Sequence, residues 1–480
     1  MRLPAPVTGG VATVPCLTAR DLAAALAGRV AAGDPSARYL GVSTDTRTIS
    51  PGELFVALPG TRVDGSAFLA EARSRGAAVA IVSRRRAENG APPEGLALVE
   101  VDDVLLALGE LARRHRDEVF RGRAVFGITG SAGKTSTRGF LEAILRGAGP
   151  TVASERSFNN AIGVPLTVLR TRGDEEYLVV EIGTNAPGEI AALCEIARPT
   201  IGVVTNVAAA HLERLGTVEG VAAEKGDLFR ALPASGVAVV NVGEPLVVRE
   251  ARGLRSRVVT VGVERDADYV ASDRCRTDEG SEFLLDGKIR VCLAVPGLFH
   301  VENALAAIAM AAAAGVPRDE AAERVTGFRG EKSRLAVKRI GGVAVVDDCY
   351  NSNPRSCLAS LAELAAGHGE CRRIAVLGEM LELGAESGRW HEAVGEAAGR
   401  VADLVVAVGS GAAGFLLGAR RSGVEASRLF FARDAGDAET CVLGLVEPGD
   451  AVLVKGSRRI GLERVVAAVA ARFGERALDV

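Results

Sequence analysis

Short apolar runs separated by amphipathic stretches recur along the whole chain. At 54–57, 79–82 and 97–101 they have the length and composition of buried strands, while 66–75 and 103–118 carry apolar residues at helical spacing. The polar, glycine-containing segment Phe120-Arg121-Gly122-Arg123 then reads as a hinge. Beyond it the alternation resumes, with strands predicted at 124–128, 177–182, 201–205 and 237–241 and a helix at 135–146. Pro187 stands where a helix can start, and Asp286-Gly287, between strands at 282–285 and 289–293, has the chemistry of a tight hairpin turn. Further strands at 343–346, 374–377, 404–408 and 451–454 are again spaced by helices. Alternation of this kind predicts an α/β fold with mainly parallel sheets. Its breaks predict three domains: a small α/β domain over 1–123, a central domain over 124–330 and a Rossmann-like α/β domain over 331–480.

Chemistry first becomes visible between the strand at 124–128 and the helix at 135–146. There the chain reads Thr129-Gly130-Ser131-Ala132-Gly133-Lys134-Thr135-Ser136. A glycine-rich turn at that place aims backbone N–H groups at one point, at the positive end of a helix dipole. Lys134 can reach the outer phosphates of a nucleotide, and the Thr135 hydroxyl can ligate magnesium. The strict phosphate-loop pattern has glycine where this chain has Ile128, with Gly127 one place early, so the motif is a variant form. The functional reading is a loop that holds ATP or GTP; the competing one is a structural strand–helix turn.

Composition narrows the field. A net charge of −3 gives no basic footprint for nucleic acid. Residues 1–15 lack the charged start and apolar run of a signal peptide, and the most apolar helix candidate, 304–314, is too short to cross a bilayer. The eight cysteines are scattered without a CxxC pair and read as reduced, which predicts a cytoplasmic protein without membrane insertion. Lysine is rare, with six (134, 225, 288, 332, 338 and 455) among 57 basic residues. Where arginine is so favoured, a retained lysine calls for a reason.

Three residues downstream of the loop gain weight through their order. Glu181 ends an apolar strand, at the carboxyl edge where doubly wound sheets place ligands, which suits a metal or its water better than bare surface. His211 follows the next strand, and alone it is equally well explained as an ordinary hydrogen-bonded loop histidine. Lys225 falls within a helix predicted over 222–228 and alone reads as a solvated helix residue.

Taken together, the phosphate loop, the Glu-x-Gly strand end, His211-Leu212-Glu213 after a Thr-Asn strand and the downstream Lys225 resemble the Mur ligases. The resemblance covers nearly the whole chain. Ser43-Thr44-Asp45-Thr46-Arg47, followed by Pro51-Gly52-Glu53 and Asp64-Gly65, is similar to the family's uridine-binding module. Asn159-Asn160-Ala161-Ile162-Gly163, Pro187-Gly188-Glu189-Ile190, the run from Asp347 to Pro354, the run from Leu377 to Gly384 and Lys455-Gly456-Ser457-Arg458 resemble one branch of the family. That branch adds D-alanyl-D-alanine to a UDP-linked muramoyl tripeptide.

The resemblance implies an ATP-dependent amide ligase of peptidoglycan synthesis, working through an acyl phosphate with ATP, two magnesium ions and small-molecule substrates; the expected working form is a monomer. On this pattern Lys134 stabilises charge on the transferring phosphoryl group, Thr135 and Glu181 hold one magnesium and His211 helps to hold the second. Lys225 is implied to be carbamylated, so that a cation becomes an anionic ligand; the alternative is a plain lysine on phosphate. Asn303 is implied to meet adenine, Arg334 the phosphates and Asp348 the ribose, with the third domain closing over the nucleotide. Ser43, Thr44, Asp45, Arg47, Asn159, Asn160, Asn351 and Lys455 are the implied substrate contacts. Lys455 follows an apolar strand and reads as an anion-facing turn, against a plain surface turn.

Some features depart from the family pattern or stand outside it. Ala132 replaces the usual asparagine, Ser66 a common histidine, and Phe299-His300 the usual His-Asn. His391, beside Trp390 on a predicted helix, has no evident task from sequence. Gly409-Ser410-Gly411-Ala412-Ala413-Gly414 matches a dinucleotide fingerprint, but it lies late in the βα series, and close packing explains its glycines more economically. The rival functions are a sibling ligase adding one amino acid, a folylpolyglutamate synthase, or a nucleotide-binding regulatory module without ligase activity.

Overall fold

The computed structural model describes residues 18–60, 63–84, 93–155, 158–366 and 371–474. The segment 1–15, read above for a signal peptide, lies outside the described residues. Three sheets, of five, nine and six strands, carry the fold. The chain divides into two compact units, one comprising Met1–Gly127, Ala148–Thr184 and Glu189–Thr200, the other Ile128–Gly147, Asn185–Gly188 and Ile201–Val480.

In the first unit, five strands run in the order Arg29–Ala32, Ala97–Val101, Val79–Ser83, Leu54–Val56, Val42–Ser43. All neighbours are parallel except the edge pair of Arg29–Ala32 with Ala97–Val101. The inner strands are buried except at Ser83, which is why they read as apolar runs rather than alternating ones. Helix Val104–Val119 starts where the Asp103 side chain accepts the Leu105 and Leu106 amides. The helix expected over 66–75 is divided into a 3₁₀ turn, Gly65–Phe68, and a helix, Leu69–Ser74. Asp64 accepts the Ser66 amide and tightens that entry. The same unit holds the parallel pair Thr151–Ala153 and Tyr177–Glu181.

In the second unit, Ile201–Val204, Val237–Asn241, Arg257–Val263 and Tyr269–Thr277 pair in parallel. Gly280–Leu285 and Ile289–Leu293 then fold back antiparallel, with Asp286 (φ +52°) and Gly287 (φ +66°) in the turn expected between them. The six-stranded sheet runs Ala336–Ile340, Val343–Asp348, Ala451–Lys455, Arg373–Gly378, Leu404–Val408, Leu429–Ala432. It is parallel except at its first pair. Successive strand residues enter opposite layers, as a two-residue period requires. Val343, Val345, Ile374, Val376, Val452 and Val454 face helices Ala435–Leu445 and Glu463–Phe473. Ala344, Val346, Ala375, Leu377 and Leu453 join a second layer that also contains Leu212, Leu215, Ala222, Phe229 and Val240. The apolar layer of this sheet is therefore continuous with that of the 201–251 segment. Among the described residues no helix is long and apolar enough to cross a membrane.

Candidate active site

Strand Ala124–Thr129 passes into helix Lys134–Arg146 through a loop whose two glycines have no substitute. Gly130 has φ +151° and Gly133 φ +82°. A Cβ would stand 1.9 Å from Thr205 Oγ1 at the first and 2.4 Å from Asn303 Oδ1 at the second. Conformation and contact both exclude a side chain there. The loop is laced to the end of strand Ile201–Val204. Ser131 N donates to Asn206 O (3.0 Å), Ala132 N donates to Asn206 Oδ1 (3.0 Å), and Thr205 Oγ1 and Asn206 Nδ2 donate to Ala132 O (2.6 and 3.0 Å). Not every loop amide is therefore aimed at a ligand, since those of Ser131 and Ala132 are turned to Asn206. The Ala132 departure leaves this lacing intact, because only its backbone takes part. Lys134 Nζ lies back over the loop, donating to Gly130 O at 2.8 Å. Thr129 and Thr135 are buried and Ser136 half-buried at its rim.

His211 and Lys225 face this loop electrostatically. Thr217 caps helix Val218–Arg230, and Val221, Ala222, Leu228 and Phe229 form its apolar face. Lys225 occupies a position on that same face and is 1% exposed, so the expectation of a solvated helix residue is corrected. Burial, and then the charge of Lys134, hold its ammonium well below the ordinary lysine range, so the neutral amine is favoured. Glu224, beside it, accepts the Gly188 amide at 2.7 Å. His211 has φ +56° at the head of the short helix Leu212–Leu215. Burial and the Lys225 charge push its pKa below the usual histidine value, against the pull of Glu382. Its Nδ1 lies 2.6 Å from Glu382 Oε2. A carboxylate only accepts, so Nδ1 carries the proton, and the neutral ring keeps its lone pair on Nε2.

In the other unit, Glu181 is buried at the end of strand Tyr177–Glu181. Its Oε1 accepts from Asn159 Nδ2 at 2.8 Å, and its amide donates to Ser154 Oγ at 3.0 Å. Asn160 instead serves helix Gly163–Leu169, its Oδ1 accepting the Ile162 and Gly163 amides. After strand Val42–Ser43, Asp45 folds back on Arg47 at 2.6–3.1 Å, and those bonds hold its carboxyl below the usual range. Ser43 Oγ donates to Asp45 O (3.1 Å), and Thr44 lies half-buried between them.

The residues assigned to the nucleotide by resemblance gather at the six-stranded sheet and at helix His300–Ala313. Asn303 lies beneath Gly133 and accepts from Thr137 Oγ1 at 3.3 Å. Arg334 is set between Ser333 (φ +58°) and Leu335 (φ +54°), with its guanidinium 4.0 Å from the Tyr350 ring centroid. Asp348 accepts from Leu335 N (3.2 Å), Ser360 Oγ (2.6 Å) and Lys455 Nζ (2.5 Å). Lys455 is buried, not a surface turn, and also donates to Asn351 O at 3.0 Å. Its ammonium is thus committed to Asp348 and to the Asn351 turn. Asn351 Oδ1 accepts the Ser352 amide at 2.8 Å. Two contacts that sequence reasoning passed over join this sheet to the loops: Asn353 Nδ2 donates to Ser131 O (3.1 Å), and Glu382 meets His211. Both residues lie within quoted motifs, but nothing in their spacing points to these partners.

His300, one of the departures, is fully buried against Phe140 and Phe299. Burial lowers its pKa from 6.5 to about 4. The unfolded chain takes up this proton near 6.5 and the folded one only near 4, so its contribution is complete above pH 6.5 and lost as pH falls toward 4. At 1.36 kcal/mol per pKa unit the loss is about 3 kcal/mol. Stability measured by denaturant from pH 7 to pH 4 is expected to fall less steeply in His300→Phe, by about that amount; identical slopes would contradict this.

The Gly409–Gly414 fingerprint is packing, as the economical reading had it. A Cβ on Gly411 would lie 2.2 Å from Glu379 Oε1, and one on Gly414 2.7 Å from His391 Cβ. His391 also acquires a task. Its Nε2 accepts the Met380 amide (2.9 Å) while Nδ1 donates to Ser387 O (2.7 Å).

The fold and the loop define a phosphate-loop α/β protein with Lys134 set over the loop. Three family models match in chain order: "Mur ligase family, catalytic domain" over 38–116, "Mur ligase middle domain" over 128–311 and "Mur ligase, glutamate ligase domain" over 333–458. The UDP-N-acetylmuramoyl-tripeptide–D-alanyl-D-alanine ligase of Mycobacterium tuberculosis is 38% identical over 468 residues, covering 90% of this chain and 92% of its own. The Escherichia coli protein of the same name is 36% identical over 439 residues, covering 89% and 93%. Among solved structures, MurF from Acinetobacter baumannii superposes with a TM-score of 0.83 at 29% identity, covering 95% of this chain and 99% of that one. MurF from Thermotoga maritima in complex with ADP gives 0.77 at 26% identity, covering 90% and 97%. The chain belongs to the Mur ligase family.

Proposed function

We infer that the protein is an ATP-dependent ligase that joins D-alanyl-D-alanine to UDP-N-acetylmuramoyl-tripeptide in peptidoglycan synthesis, releasing ADP and phosphate. The observation that carries this reading is the glycine loop of 129–136, with Lys134 near enough for its charge to act on both His211 and Lys225. A carboxylate does not react with an amine at neutral pH. Transfer of the γ-phosphoryl group makes it an acyl phosphate; the amine attacks the carbonyl carbon, loses a proton, and phosphate leaves.

In that sequence Lys134 holds charge on the transferring group, and Arg334, aimed by its strained neighbours and the Tyr350 ring, holds the phosphates. Asp348, which accepts from Lys455, Ser360 and the Leu335 amide, is the proposed ribose contact, and Asn303 the proposed adenine contact. Ser43, Thr44, Asp45, Arg47, Asn159, Asn160 and Asn351 are the proposed substrate contacts, while Lys455, expected among them, bonds Asp348 and the Asn351 carbonyl instead. Magnesium, when bound, supplies charge neutralisation of the triphosphate and carboxylate. Thr135, Glu181, His211 and a carbamylated Lys225 are its proposed holders. The donor chemistry fits once Lys225 carries a carbamate: a hydroxyl, a carboxylate and a carbamate offer the oxygen ligands magnesium favours, beside an imidazole with its lone pair on Nε2. Among the described residues no three His, Cys, Asp or Glu side chains form a ready-made metal cluster. Magnesium characteristically completes its shell with water and substrate phosphates. We read the working form as a cytoplasmic monomer; sedimentation at the mass of two chains would overturn that.

Phosphate release from ATP is expected to require UDP-muramoyl tripeptide and D-alanyl-D-alanine together. Turnover indifferent to both would refute ligation, and stimulation by one free amino acid would move the chain to a sibling branch.

A further inference from the structure

The turn between strand Arg373–Gly378 and helix Ser387–Gly399 is built more rigidly than a connection needs to be. Glu382 has φ +67° and Gly384 φ +60°. A non-glycine residue in that region costs of order 1 kcal/mol and persists only when its surroundings enforce it. The enforcement is visible on both sides. Behind the turn, Met380 N donates to His391 Nε2 (2.9 Å), Leu381 N to Ser457 Oγ (2.9 Å) and Gly411 N to Glu379 Oε2 (3.1 Å). In front, the turn is seated on the start of helix Leu212–Leu215. Glu213 N donates to Glu382 O (3.2 Å), His211 Nδ1 lies 2.6 Å from Glu382 Oε2, and a Cβ on Gly384 would come 3.4 Å from Glu213 Cα.

We propose that Glu382 is a positioning residue for the ligase reaction. Its carboxylate keeps the His211 proton on Nδ1 and presents the Nε2 lone pair, so this imidazole is set by the six-stranded sheet's own loop. The proposal rests on the ligase reading for its consequence, though not for its geometry. His211 also sits at φ +56°, so two residues in the left-handed region, from separate elements, hold each other. His391 and Ser457 act one step further back, on the turn and not on the histidine. An acceptor fixed on one ring nitrogen orients the imidazole and selects its tautomer, the arrangement by which carboxylates support metal-binding histidines.

The test uses Glu382→Gly, which removes the carboxylate while relieving the positive φ, and Glu382→Gln, which keeps an acceptor oxygen. Nitrogen NMR of the full chain at pH 8, without nucleotide or metal, with His211→Gln for assignment, reads the tautomer directly. The wild type and Glu382→Gln are expected to hold the proton on Nδ1, and Glu382→Gly to lose that preference. In steady-state assays, the magnesium concentration for half-maximal rate should rise roughly 10–100-fold in Glu382→Gly, with partial rescue in Glu382→Gln. An unchanged tautomer in Glu382→Gly overturns the proposal, as does equal loss of rate in both variants at an unchanged magnesium requirement. Wild-type protein inactive with both substrates would instead sink the ligase reading and leave the tautomer result standing.

Discussion

Lys134→Ala is expected to lower turnover by roughly 10²–10³-fold, the effect of removing one preorganised group that stabilises transition-state charge. The structure sets the ammonium back over the loop, where it donates to the Gly130 carbonyl at 2.8 Å. That bond joins a charge to a neutral acceptor and is readily exchanged for a phosphate oxygen. Lys134 is half-buried and lies outside the apolar layers, so its loss should leave the thermal midpoint nearly unchanged. A second effect adds to the first. The Lys134 charge helps to keep the Lys225 amine neutral, so its removal returns Lys225 toward the ordinary lysine range. Lys134→Arg keeps a charge but exchanges a compact ammonium for a planar fork, and should recover only part of the rate. Rates measured at saturating ATP, with nucleotide binding measured separately, distinguish chemistry from affinity. Near-normal turnover of Lys134→Ala would remove the residue from the mechanism.

How much of this was legible in the sequence depended on whether the signal was local. The loop at 129–136 announces itself because glycine, lysine and threonine are each required by neighbours a few residues away. The parallel strands at 237–241 and 404–408 are equally plain, because sheets covered on both faces demand unbroken apolar runs. Arg257–Val263, Tyr269–Thr277 and Ala336–Ile340 passed unnoticed. They carry charged and half-exposed residues and are defined by pairing with distant strands, not by their own composition. Lys225 was misjudged alone although its neighbours Val221, Ala222, Leu228 and Phe229 place it on the apolar face, a spacing that charge alone obscures. The pairings of Glu382 with His211 and of Lys455 with Asp348 span 171 and 107 residues, and no periodicity reports such contacts. The glycines at 409–414 mark the opposite error, since backbone crowding by Glu379 and His391 imitates a ligand motif.

Lys225→Ala should carry the other large effect: loss of roughly 10³-fold or more in rate, reversed in part by a short carboxylic acid in the buffer. The argument starts from burial. A lysine 1% exposed, on an apolar helix face and repelled by Lys134, is held well below its ordinary pKa. Only a neutral amine can add carbon dioxide, so the fold favours the reactive form at the pH where most surface lysines are protonated. Carbamylation would turn a buried cation that the site disfavours into an anion able to meet metal and to offset Lys134. Truncation to alanine preserves helix propensity and leaves room of side-chain length within reach of the Lys134 charge, where acetate or propionate can stand in for the carbamate. Rescue should therefore saturate with acid concentration and be absent from Lys134→Ala, whose defect is a missing cation. A bicarbonate-dependent carbamate signal in carbon NMR, present in the wild type and absent from Lys225→Ala, would connect the kinetics to the modification. Full activity of Lys225→Ala without any additive would rule the carbamate out and leave His211, Glu181 and Thr135 to hold magnesium unaided.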